Sequence, residues 1–408
     1  MKIRVVCSKF PPEYAGAGVR VHNTYRRLAA AGHDVRWSVI TNAVEFPGNA
    51  CYRHDGIPVR RISTRLFAHW RAAPGLAGRL QHALRSWWEA LQVWAALAGD
   101  RPDVIHVFGS SAATAAAIAW ARVTGTPLVI ELVTARASPA QHLPGLNWSR
   151  WLRLDRNTLI VAISAALAET CARLGLDRNV WTRPNPVDTK RFLPEPQRRH
   201  ALRAALTPFA AHDIVLSMVA KFMPQKNQIF LLDVLARLPE QYKLVLAGPV
   251  VESGPLLERD RAYLAQLHDR IAALGLGARV HVVTGFVPAG DFMKLADAYV
   301  LPNKDEGLAT PMLEALACGL PVVANDGEAA FCQWVTDGVS GFLRPLDADL
   351  WAQAVQNAVA LPTAGVMDEA GRIADQASAT TVDGRFLALV TALAALPPGG
   401  RIDVEAQP

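Results

Sequence analysis

Twice along this chain a short β-rich run leads through a loop into a helix and then, past a turn, into another β-rich run. That alternation limits the possible folds more than any other feature. The first series opens with KIRVVCS (Lys2–Ser8), the loop KFPPEYAGAG, a helical pattern from Val19 to Ala31, and the strand GHDVRWSVIT (Gly32–Thr41). DVIHVFG and PLVIELV continue it, with the alanine-rich segment Ala112–Arg122 between them, and TLIVAIS (Thr158–Ser164) feeds a helix from Ala165 to Leu174. The second series starts near Ile214 with IVLSMVA, the basic loop KFMPQKNQ and the helix IFLLDVLARL, then YKLVLAG, VHVVTG, AYVLPN and LPVVAN. Strand, loop, helix, turn, strand is the mark of βαβ units, which build parallel sheets flanked by helices.

Two such series predict an α/β chain of two Rossmann-like parallel-sheet domains facing across a cleft. The expected boundaries are 1–188 for the N-terminal domain and 189–370 for the C-terminal domain. A C-terminal helix over 371–396 would return to the N-terminal domain, and 397–408 reads as a flexible tail. The linker is DTKRFLPEPQRRH (Asp188–His200). A length of 408 residues, 51% hydrophobic and 19% charged, supplies large cores and excludes a disordered chain. No apolar stretch reaches membrane-spanning length, and the proline pair in MKIRVVCSKFPP comes too early for a secretory signal. Five scattered cysteines without a CxxC pair suit a reducing cytosol better than a disulfide frame or zinc site. Residues 1–188 carry 23 Lys+Arg against 12 Asp+Glu, and the remaining 220 carry 19 against 24. The halves therefore meet different partners, unless arginine-rich composition simply reflects the genome.

Ligands of doubly wound sheets bind beyond the carboxyl ends of the strands, which brings forward PPEYAGAG, KFMPQKNQ and NKDEGLATP. In EGLATPMLEALACG (Glu306–Gly319), Thr310 suits an N-cap, Pro311 the first helical position and Gly319 the C-terminal cap. A capping box would use position 313, which is Leu313, so capping does not explain Glu314. A helix start with small neighbours Gly307 and Ala309 favours a phosphate through its dipole and unpaired N–H groups. Two carboxylates beside a diphosphate would repel it unless they accept hydroxyl groups, so Glu306 and Glu314 point to a polyol such as ribose or another sugar. Lys221 and Lys226 flank the loop after the first strand of the second series and can neutralise the same diphosphate.

The run PNKDEGLATPMLEALACGLPVVA resembles the E-x7-E signature of retaining family 4 glycosyltransferases. FPPEYAGAGVRVHNTYRRLAAAGHDV is similar to that family's N-terminal glycine loop and helix, NPVDTKRF (Asn185–Phe192) to its domain junction, VAKFMPQKN to its phosphate-binding pair, and TDGVSGFLRP (Thr336–Pro345) to its closing segment. The resemblance covers most of residues 1–350 and implies the GT-B fold, with 1–188 as the acceptor-binding domain and 189–370 as the nucleotide-sugar-binding domain. It implies that Glu314 holds the donor ribose and that Glu306 contacts hydroxyls of the transferred sugar. It further implies that Leu308, Ala309 and Thr310 give N–H groups to the diphosphate, that Phe286 and Val287 line the base pocket, and that Gly16 and Gly18 approach donor and acceptor. Glu306, Lys221 and Lys226 would be the catalytic set. The chain departs from the pattern at Phe108, where a second histidine after His106 is usual, at Glu131 and Val133 in the next strand, and at Gln333 in place of a glutamate. His106 and Glu131 are the acceptor-side candidates, although a histidine inside an apolar strand is more often a satisfied core residue than an acid or base.

The expected activity is transfer of a sugar from a nucleotide-diphosphate donor to a saccharide or lipid-linked acceptor, with no cofactor, no metal and no nucleic-acid partner. A nucleotide-sugar epimerase of similar fold and a non-catalytic nucleotide-sugar-binding subunit are the alternatives. Asp347–Ala348–Asp349 has the DxD form of a metal motif, but it directly precedes a helix, where Asp caps. Arginines mixed with Trp70, Trp87 and Trp88 over Arg60–Trp88 suit peripheral contact with an anionic membrane, at the cytoplasmic face.

Overall fold

The computed structural model describes residues 1–13, 16–41, 51–63, 65–67, 75–134, 137–138, 152–250, 256–304 and 310–407. The chain forms two compact units, Met1–Arg183 with Asp383–Pro408, and Pro184–Val382.

The first unit is built on β1 (Lys2–Cys7), β2 (Arg36–Thr41), β3 (Cys51–His54), β4 (Ile57–Arg61), β5 (Val104–Phe108), β6 (Leu128–Leu132), β7 (Thr158–Ala162) and β8 (Val180–Thr182). Their order in the sheet is β3-β4-β2-β1-β5-β6-β7-β8. All neighbours run parallel except the β3–β4 hairpin. Strands β5, β6 and β7 are buried at every position, as expected of a parallel sheet covered on both faces. Helices α1 (Gly16–Ala30), α2 (Gly75–Asp100) and α3 (Ala112–Thr124) connect the early strands. The order reverses between β1 and β5, the switch point of this sheet.

The second unit has β9 (Ile214–Val219), β10 (Tyr242–Gly248), β11 (Val280–Thr284), β12 (Ala298–Leu301), β13 (Val322–Asn325) and β14 (Gly341–Arg344). They lie in the order β11-β10-β9-β12-β13-β14, all parallel. Its switch point falls between β9 and β12. Both predicted βαβ series are therefore present, each as its own sheet.

The unit boundary lies at Arg183/Pro184, five residues before the predicted 188. The chain re-enters the first unit at Asp383, inside the helix Ala379–Ala394, and not at 371. The tail needs a correction. Beyond Pro397, Ile402 and Val404 are buried, the Val404 N–H donates to the Arg178 carbonyl, and the Arg385 guanidinium donates to the carbonyls of Val404 and Gln407. Two apolar anchors set among small and polar residues hold this segment, a signal too sparse to read as structure in the sequence.

Candidate functional site

In the second unit the carboxyl ends of β9 and β12 lie side by side, with Leu216 opposite Ala298 and Ser217 opposite Tyr299. The loops that leave them are tied together. The Lys304 N–H donates to the Gln225 carbonyl at 2.8 Å, and the Asn227 amide donates to the Pro302 carbonyl at 3.3 Å. The Gln228 amide donates to the Lys221 carbonyl at 3.0 Å, and Lys226 ends the short turn Pro224–Lys226. Gly248, at the end of β10, lets this loop pass. A methyl group there would sit 2.1 Å from the Ala220 carbonyl oxygen, at a φ of +150° that side chains avoid.

Lys221 is half-buried, and its ammonium lies 3.1 Å from the carboxylate of Asp260, which is fully buried. Sequence reading missed that partner, because Asp260 lies in a helix 39 residues on and looks like an ordinary first-turn acid. Part of the Lys221 charge is thereby already balanced. Val287 packs against the core of this unit, while its neighbour Phe286 is 95% exposed just past β11. A fully exposed phenyl ring at a strand's carboxyl end is a surface suited to stacking.

The helix Thr310–Ala317 begins one residue earlier than expected. Thr310 lies inside it, and its hydroxyl accepts a hydrogen bond from the Asn185 amide. Asn185 thus joins the candidate junction motif to this helix. Gly319 ends the helix as expected, with φ of +71° and the Leu320 N–H reaching back to the Ala315 carbonyl at 3.1 Å. Glu314 is half-buried on this helix. Burial pushes its pKa up to about 7, and the nearby Arg191 offsets only part of that. Glu306, Gly307, Leu308 and Ala309 lie outside the described residues. Asp347 accepts from the N–H groups of Asp349 and Leu350 as the cap of the helix Ala348–Val359, which accounts for the Asp-Ala-Asp run.

In the first unit Gly16 starts α1 with open space around its Cα, whereas a methyl group on Gly18 would lie 3.1 Å from the Lys9 carbonyl oxygen. Gly18 therefore lets α1 lie against the loop after β1. His106 and Glu131, the acceptor-side candidates, are buried, at 1% and 2% exposed. Their polar atoms are taken up within the unit. Glu131 accepts from Arg20 at 2.6 Å and meets His106 Nε2 at 3.1 Å, and Arg183 lies 3.6 Å away. His106 Nδ1 is 2.9 Å from the Tyr25 hydroxyl, so a ring protonated at Nε2 satisfies both neighbours. Arg183 also reaches Thr24 at 2.7 Å and Asp383 at 3.3 Å, and Asp383 accepts from Arg27 at 2.6 Å. Burial alone would raise the Glu131 pKa, but Arg20, His106 and Arg183 outweigh it and hold the carboxyl well below its usual range. The pairing of residues more than a hundred positions apart is what the sequence could not show.

Residues 14–191 match the family model for Glycosyltransferase Family 4, and residues 206–374 match that for Glycosyl transferases group 1. The chain is 30% identical over 217 residues to the lipopolysaccharide core biosynthesis mannosyltransferase LpsB of Rhizobium meliloti, covering 51% of this chain and 55% of that protein. It is 24% identical over 272 residues to an Escherichia coli UDP-Gal:alpha-D-GlcNAc-diphosphoundecaprenol alpha-1,3-galactosyltransferase, covering 65% and 68%. The chain spans about half the length of the first curated relatives it matches. Among solved structures, Anabaena Alr3699/HepE in complex with UDP superposes with a TM-score of 0.71 at 20% identity, over 96% of this chain and 100% of that one.

Proposed function

We propose that this chain, which has the GT-B fold and whose halves match the family 4 and group 1 glycosyltransferase models, moves a sugar from a nucleotide-diphosphate donor to a saccharide or lipid-linked acceptor. One observation carries the reading. At the switch point of the second sheet, the lysine-bearing loop after β9 is laced to the loop that leads into the Glu314 helix. A lysine-bearing loop and a helix carrying a desolvated carboxyl both follow this switch point, and in this reading they supply the set needed to hold a diphosphate and a ribose. In this reading Lys221, Lys226 and the N–H groups at Thr310 take the diphosphate, Glu314 the ribose, Phe286 and Val287 the base, and Glu306 the sugar. Negative charge grows on the departing diphosphate as the glycosidic bond breaks, and fixed cations and dipoles lower that barrier without a metal. Transfer with retention at the anomeric carbon accords with the E-x7-E resemblance. The names of the lipopolysaccharide and diphosphoundecaprenol relatives support an acceptor in cell-surface glycan synthesis.

Incubation with a panel of nucleotide sugars tests this. Slow release of nucleoside diphosphate, with the anomeric configuration of the sugar followed by NMR, is expected of the transferase. Interconversion of the sugars would establish the epimerase, and binding without turnover, acceptors included, a non-catalytic subunit. Glu306→Ala should cut transfer at least a hundredfold, and near wild-type turnover would remove Glu306 from the catalytic set.

A further inference from the structure

A second constellation lies in the first unit. His22 projects from α1 and is 5% exposed, and its Nε2 is buried without a hydrogen-bond partner. His54 ends β3, and Asp55 begins the turn to β4, held there by the left-handed pair Asp55 (φ +47°) and Gly56 (φ +80°). This Asp-Gly turn fixes the hairpin geometry. One ligand atom from each of His22, His54 and Asp55 lies within 4.8 Å of the others, and His22 Nε2 is 3.4 Å from Asp55 Oδ2. Two donors bound at zinc–nitrogen and zinc–oxygen lengths in a tetrahedral shell stand roughly 3.3–3.4 Å apart. The His22–Asp55 edge already has that length.

We propose that His22, His54 and Asp55 bind a zinc-class dication, which clips α1 to the β3–β4 hairpin and takes no part in transfer. Two imidazoles and one carboxylate select a borderline transition metal over magnesium or calcium, which prefer oxygen ligands throughout. The Arg26 guanidinium lies 3.7 Å from the same carboxylate, but its side chain is 65% exposed and free to turn outward. Phe10 and Trp37 pack around the His22 ring, with centroids at 6.1 and 6.0 Å, and hold it in place.

The test uses the full chain, stripped of metal, with exposed Cys51 and Cys332 changed to Ser so that thiols do not compete. Competition with a chromophoric chelator should show one zinc per chain. Cobalt in its place should give the intense visible bands of a four-coordinate site. His54→Ala and Asp55→Asn, both on the exposed hairpin, should fold as judged by circular dichroism, weaken zinc at least tenfold each and abolish the cobalt bands. Zinc should also raise the melting temperature of the parent and leave both variants unmoved. Zinc binding of equal strength in parent and variants, or no stoichiometric binding in the parent, overturns the proposal.

Discussion

Glu314 shows how much one residue can carry. Its folded pKa stands at about 7, above the ordinary 4.5, because burial favours the uncharged carboxyl. The stability it contributes is therefore complete below about pH 4.5 and is lost as pH rises through about 7. Glu314→Gln is expected to raise the stability of the ligand-free protein at pH 8, by up to about 3 kcal/mol, and to change little at pH 4.5. Denaturant titrations at the two pH values check this, and an equal effect at both would show that charge is not the cause. If the ionised carboxylate holds ribose hydroxyls, nucleoside diphosphate should bind more tightly as pH rises from 6 to 8, and Glu314→Gln should flatten that slope in calorimetry. Glu131 has the opposite sign. Its depressed pKa gives stability that is full above the ordinary carboxylate range and is lost as pH falls. Glu131→Gln leaves Arg20 and Arg183 buried opposite a neutral amide, so a loss of roughly 3–5 kcal/mol is expected at pH 7. The gap from wild type should narrow towards acid pH, and a gap constant with pH would point to packing alone.

At the scale of elements, the strands were legible because buried parallel strands are written as unbroken apolar runs such as VIHVF and LVIEL. The Thr310–Ala317 helix was legible through its proline and its closing glycine. The ion cluster of Arg20, His106, Glu131 and Arg183 was not, since its members sit on α1, β5, β6 and just past β8, and only the fold brings them together. For the same reason Asp260 gave no hint of Lys221. Helix α2 gained definition from the structure. Trp70 lies outside the described residues, but along α2 Leu76, Leu80, Leu84, Trp87 and Leu91 are all exposed and recur every three to four residues, a continuous stripe along one side. None of the described helices is long and apolar enough to cross a membrane, but such a stripe can lie in the interface plane. Flotation with vesicles containing anionic lipid should therefore carry the protein. Leu80→Glu with Trp87→Glu should reduce the bound fraction several-fold while leaving the melting temperature within a degree or two. Unchanged flotation would exclude α2 as the anchor.

At the scale of the molecule, the first unit is discontinuous in sequence, and that has a folding consequence. Its core is completed by the last residues of the chain. Asp383 pairs with Arg27 and Arg183, Phe386 meets the rings of Tyr25, His106 and Trp181, and Leu389, Val390 and Leu393 are buried beside them. Four large apolar side chains at about 1.5–3 kcal/mol each amount to much of the stability of an ordinary domain. Removing Asp383 also takes away one of the two carboxylates that face Arg183, whose side chain is 1% exposed. The second unit, Pro184–Val382, keeps all six of its strands in a chain cut after Val382. The truncated protein should therefore lose hydrogen-exchange protection in β1, β5 and β6 while β9, β10 and β12 stay protected. Asp383→Asn in the full chain should weaken the first unit selectively, without unfolding it. Equal protection of both sheets after truncation would show that residues 1–183 hold their fold unaided. Loss in both sheets would show that the two units unfold as one.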